Sequence, residues 1–211
     1  MFITFEGPEG SGKTSAANEI VRLLISKGYD VVYTREPGGT PIAEEIRGII
    51  LDKKNTALDP RAEALLYAAS RRQHLVEKVW PALKEGKIVI CDRFLDSSLA
   101  YQGAARNIGV DNVLNINLFA TEGTYPDLTL LFDITPEKGL ERIAINKKRE
   151  VNRLDLEALG FHRQVREAFL ELANKYKDRY FVIDASKTLS EVVGVALNAI
   201  IDRLELKHAR L

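Results

Sequence analysis

The chain has 211 residues, 45% of them hydrophobic, with fourteen glycines and seven prolines, a composition that excludes a disordered or fibrous protein and is sized for one domain over 1–211. Thirty basic side chains balance thirty acidic ones, so no global field would hold the protein on nucleic acid or an anionic membrane, and an anionic ligand must be met by local charge. The lone Cys91 excludes an internal disulfide, and His74, His162 and His208 are scattered without zinc-ligand spacing. With no signal core and no apolar run near the ~20 residues that span a bilayer, the expected location is the cytoplasm.

In chain order, Phe2 to Glu6 is apolar on nearly consecutive positions, as a strand covered on both faces is, and leads into GPEGSGKT at residues 7–14. Ala16 to Lys27 follows with a helical period (Ile20, Leu23, Leu24) that stops at Gly28. A second strand, Asp30 to Thr34, ends at Arg35 and Glu36; Arg47 follows in AEEIRGII. The period from Glu63 to Lys84 predicts one long helix carrying Arg71 and Arg72, closed by Gly86. Strands are expected at Ile88 to Asp92, Leu128 to Asp133 and Tyr180 to Asp184, and helices at Phe161 to Tyr176 and Leu189 to Leu206, with Gly123 near another helix end. Asn146 to Asn152, NKKREVN, is the least core-like stretch and reads as a mobile surface segment. Strand and helix alternate, which predicts right-handed βαβ units and a parallel sheet flanked by helices.

Residues 7–14 satisfy G-x-x-x-x-G-K-[ST] through Gly7, Gly12, Lys13 and Thr14, between a strand and a helix. Glycines let backbone N–H groups turn inward around a phosphate, and the following helix N-terminus adds positive potential. Lys13 would reach the β- and γ-phosphates, and Thr14 would offer its hydroxyl to Mg²⁺. In open α/β sheets ligands sit beyond the carboxyl ends of strands, so Asp92 and Asp133 compete as the metal-site carboxylate. Asp92 is preferred because Arg93 follows at once, placing a phosphate clamp beside it. Cys91 reads as a small buried strand residue, and Trp80 as packing.

Together, FEGPEGSGKT, TREPGGTPIAEEIR, ASRRQH, CDRFLDSSLAYQG, YPDLTLLFD and NRLD stand in the order and spacing of bacterial thymidylate kinases, and the resemblance covers nearly the whole chain. It implies a three-layer P-loop fold with a five-stranded parallel sheet, a short lid at about 142–156, and a homodimer. It also implies transfer of the γ-phosphoryl group of MgATP to thymidine 5′-monophosphate (dTMP), in dTTP biosynthesis. On the ATP side the resemblance places Gly7, Glu9, Gly10, Ser11, Gly12, Lys13 and Thr14, with Arg142 against adenine. On the acceptor side Arg93 and Arg47 would grip the phosphate with Glu36 alongside. Arg71, Gln102 and Ser98 would read the pyrimidine edge, Tyr67 would stack on the base, Tyr101 would crowd the 2′ position, and Glu9 would approach the 3′-hydroxyl.

Relatives with an arginine inside the phosphate loop carry it where Gly10 stands here, so the missing cation should come from the lid. Lys147, Lys148, Arg149 and Arg153 are its candidates, Arg153 preferred and Arg149 next. The catalytic set is then Lys13, Arg93, Glu36 and Arg153, with Thr14 and Asp92 toward the metal. Phe94 stands where many relatives have tyrosine, so no role of a phenol carries over. Two alternatives remain: a kinase for another nucleotide or nucleoside, and a GTP-dependent switch. The switch would need N-K-x-D, and Asn146-Lys147-Lys148-Arg149 lacks the aspartate.

Overall fold

A computed structural model describes residues 1–145 and 153–209. Five strands, β1 (Phe2–Glu6), β2 (Val31–Arg35), β3 (Ile88–Asp92), β4 (Leu128–Asp133) and β5 (Tyr180–Asp184), form one parallel sheet in the order β2-β3-β1-β4-β5. The chain leaves β1 toward β2 and leaves β3 toward β4, in opposite directions. A crevice therefore opens beyond the carboxyl ends of β1 and β3, which pair with Phe5 beside Asp92.

The helices are α1 (Lys13–Ser26), α2 (Pro41–Leu51), α3 (Pro60–His74), α4 (Trp80–Lys84), α5 (Leu95–Ser98), α6 (Val110–Thr121), α7 (Pro136–Ile145), α8 (Leu159–Lys175) and α9 (Leu189–His208), with a 3-10 turn at Leu154–Leu156. On one face of the sheet Ile3, Phe5, Leu130 and Phe132 pack against Ile20 and Leu24 of α1 and Val193 and Ile200 of α9. On the other, Phe2, Val89, Cys91 and Leu131 pack against Leu75, Phe94, Val165 and Phe169. Each such side chain, taken from water, stabilises the sandwich by roughly 1.5–3 kcal/mol. The layers therefore follow from strands that are apolar on both faces. Among the described residues no helix is long and apolar enough to cross a membrane.

The long helix expected over Glu63 to Lys84 is divided. α3 starts earlier, where Asp59 accepts hydrogen bonds from the N–H groups of Arg61 (2.9 Å) and Ala62 (3.1 Å) ahead of Pro60. It then passes through a π-helical turn, Leu75–Val79, before α4. Pro81 has no N–H to donate and its ring would collide with the carbonyl four residues back, so the chain widens here. A second π-helical turn, Leu99–Ala105, continues α5 and carries Tyr101 and Gln102. The expected Asp30–Thr34 strand lies one residue later. Of the expected lid, residues 146–152, with Lys147, Lys148 and Arg149, lie outside the described residues.

Candidate active site

The 7–14 loop leaves β1 with Gly7 at φ 142°, Gly10 at φ 72° and Gly12 at φ 82°. A Cβ at Gly7 would stand 2.4 Å from the Phe132 carbonyl oxygen, and one at Gly10 2.1 Å from that of Gly139, so neither position admits a side chain in this backbone. The packing of Gly10 on α7 is thus a physical reason why no arginine sits there. Lys13 is buried and donates to the carbonyls of Gly7 and Pro8 (both 2.9 Å) and to Ser11 Oγ (3.0 Å). Burial, with Arg93 nearby, lowers its ammonium from 10.5 to about 8. A bound polyanion would reverse that shift.

Beyond β3, Thr14 donates 2.7 Å to Asp92 Oδ2, which brings a hydroxyl and a carboxylate together at the foot of the loop. Hard oxygen donors of this kind suit Mg²⁺. Asp133, the competing carboxylate, is held at both oxygens by Arg166 of α8 (2.7 and 2.9 Å). Arg93 takes a left-handed backbone, φ 70°, uncommon for a residue with a side chain. That conformation turns its guanidinium back over the loop, donating to Glu9 (2.8 Å), the Gly7 carbonyl (3.1 Å) and Ser97 Oγ (3.1 Å). Tyr101 lies beneath it, 5.0 Å from ring centre to guanidinium, and donates 3.1 Å to Glu9.

Glu36, after β2, is buried between Arg71 Nε (2.7 Å) and His74 Nδ1 (2.9 Å). Arg71 is 1% exposed and fans out to Ser98 Oγ (3.0 Å), Asn117 Oδ1 and the Phe94 carbonyl (2.9 Å). Such a network holds a buried guanidinium only because each charge has partners. His74, Glu36 and Cys91 come within 4.8 Å of one another, although sequence spacing suggested no such cluster. Their polar atoms are committed: His74 Nε2 meets Thr34 Oγ1 (2.7 Å), and Cys91 donates 3.0 Å to the Arg93 carbonyl.

Glu6, the last residue of β1, accepts from the Phe94 N–H (2.8 Å) and from Ser97 Oγ (2.5 Å), and no motif marked it. Full burial, with the Asp96 carboxylate nearby, pushes its carboxyl from 4.5 up to about 8. The folded protein therefore keeps a proton at pH 7 that the unfolded chain releases, so stability falls as pH rises from about 4.5 toward 8. Glu6→Gln, which copies the protonated form, should flatten that fall in a series of thermal unfolding curves. Identical slopes in parent and variant would remove Glu6 as its source.

The phosphate loop, Glu36, Arg71, Asp92, Arg93 and Tyr101 share one cleft of about 1330 Å³. Its walls include Glu9 to Thr14, Asp92 and Arg93 at the centre, and Tyr67, Arg71, Tyr101 and Gln102 at one end. Arg142 with Lys187 marks the other. Arg47 lies on the cleft wall and donates 3.0 Å to the Pro37 carbonyl. Arg142 donates 2.8 Å to the Ala185 carbonyl, in the loop after β5. Gly7 and Ser98 are not part of the lining, and Ser98 is tied to the wall by the bond it accepts from Arg71. Arg153 does not line the cleft; it donates to Glu63 and to the Ile50 carbonyl (3.2 Å). Asn117 and Glu63 lie outside the motifs and reach the site through the packing of α3 and α6, whereas His74 and Ser97 lie within ASRRQH and CDRFLDSSLAYQG and only the fold shows them meeting Glu36 and Arg93.

A family model described as thymidylate kinase matches residues 5–194. Among curated proteins, thymidylate kinase of Geobacillus sp. (strain WCH70) is 58% identical over 204 residues, 97% of each chain. That of Clostridium novyi (strain NT) is 59% identical over 191 residues, 90% of this chain and 93% of its own. The crystal structure of thymidylate kinase from Ehrlichia chaffeensis superposes with a TM-score of 0.77 at 33% identity, covering 95% of this chain and 97% of that one. With a loop, a strand order and a full-length match all in agreement, the chain belongs to the thymidylate kinase family.

Proposed function

We propose that the protein, as one domain over 1–211, phosphorylates dTMP to the diphosphate with MgATP, a step of dTTP biosynthesis. The observation that carries this is a cleft lined both by the phosphate loop, with Lys13 and Arg93, and by Tyr67, Arg71 and Gln102. Two polyanions meeting end to end need such cations where the phosphates converge.

In this reading the loop amides from Gly10 to Thr14 and Lys13 seat the triphosphate, with Gly7 and Ser11 shaping the loop and Arg142 lying toward adenine. Thr14 and Asp92 fit as the oxygen donors for Mg²⁺, which when bound neutralises phosphate charge. Arg93 and Arg47 take the acceptor phosphate, and Glu9 and Tyr101 border its sugar. Tyr67 stacks on the base, while Arg71, Gln102 and Ser98 read its edge. Glu36 holds Arg71 in place and keeps charge near the centre. Arg149 and Arg153 are assigned to closure, in which Arg153 exchanges Glu63 for the transferring phosphoryl group. Arg153→Ala should then depress kcat more than it raises the KM for ATP. A rise in KM alone would make it a binding group.

A cytoplasmic homodimer fits the same reading. Leu65 on α3, Val76 on the following turn and Phe119 on α6, the last 89% exposed, offer apolar surface to a second copy. Sedimentation giving a single-chain mass would remove the dimer. The activity itself is tested by coupled ADP release with dTMP and a panel of other nucleoside monophosphates. Preference for dTMP is expected; preference for another acceptor would favour the neighbouring kinase reading.

A further inference from the structure

We infer that Glu63, which does not line the cleft, sets the hydrogen-bonding face that Gln102 shows to the acceptor base, and so selects thymine over cytosine. The inference rests on the dTMP reading above.

Glu63 is 1% exposed on α3, one turn before Tyr67. Its Oε1 accepts 2.7 Å from Gln102 Nε2 and lies 3.6 Å from Arg106 Nε, and Arg153 Nη2 donates to its Oε2. Held among two arginines, the carboxylate offers only acceptors, and an amide beside it must present its nitrogen. Gln102 Oε1 is thereby left without a hydrogen-bond partner among the described residues, on a side chain that lines the cleft and is 1% exposed. Arg71, on the same wall, commits four of its five N–H groups to Glu36, Ser98, Asn117 and Phe94 and keeps one on Nη2.

The wall thus offers one acceptor and one donor. Thymine shows a donor at N3 and an acceptor at O4, which match. Cytosine shows an acceptor at N3 and an amino donor at C4, which oppose both. A buried polar group facing its like is penalised far more than a missing contact. Glu63 thereby acts on the base through Gln102 as a positioning residue.

Glu63→Gln tests this. Arg153 bonds directly to Oε2 whereas Arg106 Nε stands 3.6 Å from Oε1, beyond hydrogen-bond reach, so Arg153 keeps the introduced amide's oxygen on its own side and the amide nitrogen turns toward Gln102. Gln102 must then rotate to accept, showing its NH₂ to the base. Binding titrations of the full chain with dTMP and with dCMP, without a second nucleotide, read the outcome. The dissociation-constant ratio of dCMP to dTMP should fall roughly 10- to 100-fold, mainly through weaker dTMP binding. In a Gln102→Ala background the same substitution should leave the ratio unchanged. An unaltered ratio in Glu63→Gln, or an equal change without the Gln102 side chain, overturns the inference.

Should Glu63→Gln fail to fold, a crystal structure of the parent with dTMP decides. N3 bonded to Gln102 Oε1 with Nε2 still on Glu63 supports the inference, and Gln102 turned away from Glu63 overturns it. A parent protein without preference for dTMP would instead sink the functional reading.

Discussion

Arg93→Ala is expected to lower kcat/KM for dTMP by roughly 10³- to 10⁵-fold, the range an arginine contributes to phosphoryl transfer. The guanidinium is placed by an unusual backbone, φ 70°, and by four groups around it: Glu9, Ser97, the Gly7 carbonyl and the ring of Tyr101. A guanidinium fixed in this way can give the acceptor phosphate two parallel donors. Because these contacts are polar ones at the strand ends, apart from the face of the Tyr101 ring, the variant should melt within a few degrees of the parent. ATP binding measured without dTMP should change much less than turnover. Steady-state rates equal to the parent's would remove Arg93 from the clamp.

Lys13→Met should cost kcat roughly three orders of magnitude. The ammonium here rests on the Gly7 and Pro8 carbonyls and on Ser11, an arrangement that stores a buried cation inside the loop it would serve. Its lowered value, about 8, shows how poorly burial beside Arg93 tolerates that charge. A phosphate arriving in the loop supplies the missing counter-charge, so the interaction strengthens as negative charge gathers on the transferring group. Methionine keeps the volume and loses the charge. Single-turnover rates with saturating ATP separate this loss from binding, and an unchanged rate would refute the role of the loop.

The strands were legible because burial on both faces leaves runs such as IVICD nearly unbroken by polar residues, and the first turn was legible because a phosphate cradle demands glycines at fixed intervals. β2 is the exception at its boundary. It lies at the sheet edge, with half-buried residues, and its end is set by pairing Arg35 with Asp92 and not by its own pattern. The broken helix was hidden for a different reason: the periodicity of Glu63 to Lys84 survives a π-helical turn, and only Pro81 signals that the register must slip.

At the site, residues within motifs could be assigned roles, whereas those joined by packing could not. His74 and Glu36 are 38 residues apart, and Arg153 and Glu63 are 90 apart. Neither pairing leaves a spacing to read. Glu6 sits beside the best-marked motif of the chain, yet its neighbour Asp96 comes from the far side of β3, so its retained proton is a property of the fold alone.

The most direct test is a crystal structure of the protein with dTMP and a non-hydrolysable ATP analogue together. The thymidine 5′-phosphate is expected against Arg93, in line with the γ-phosphate held by Lys13, and the base between Tyr67 and Gln102. A thymidine whose 5′-phosphate points away from the triphosphate, or one bound outside this cleft, would contradict it.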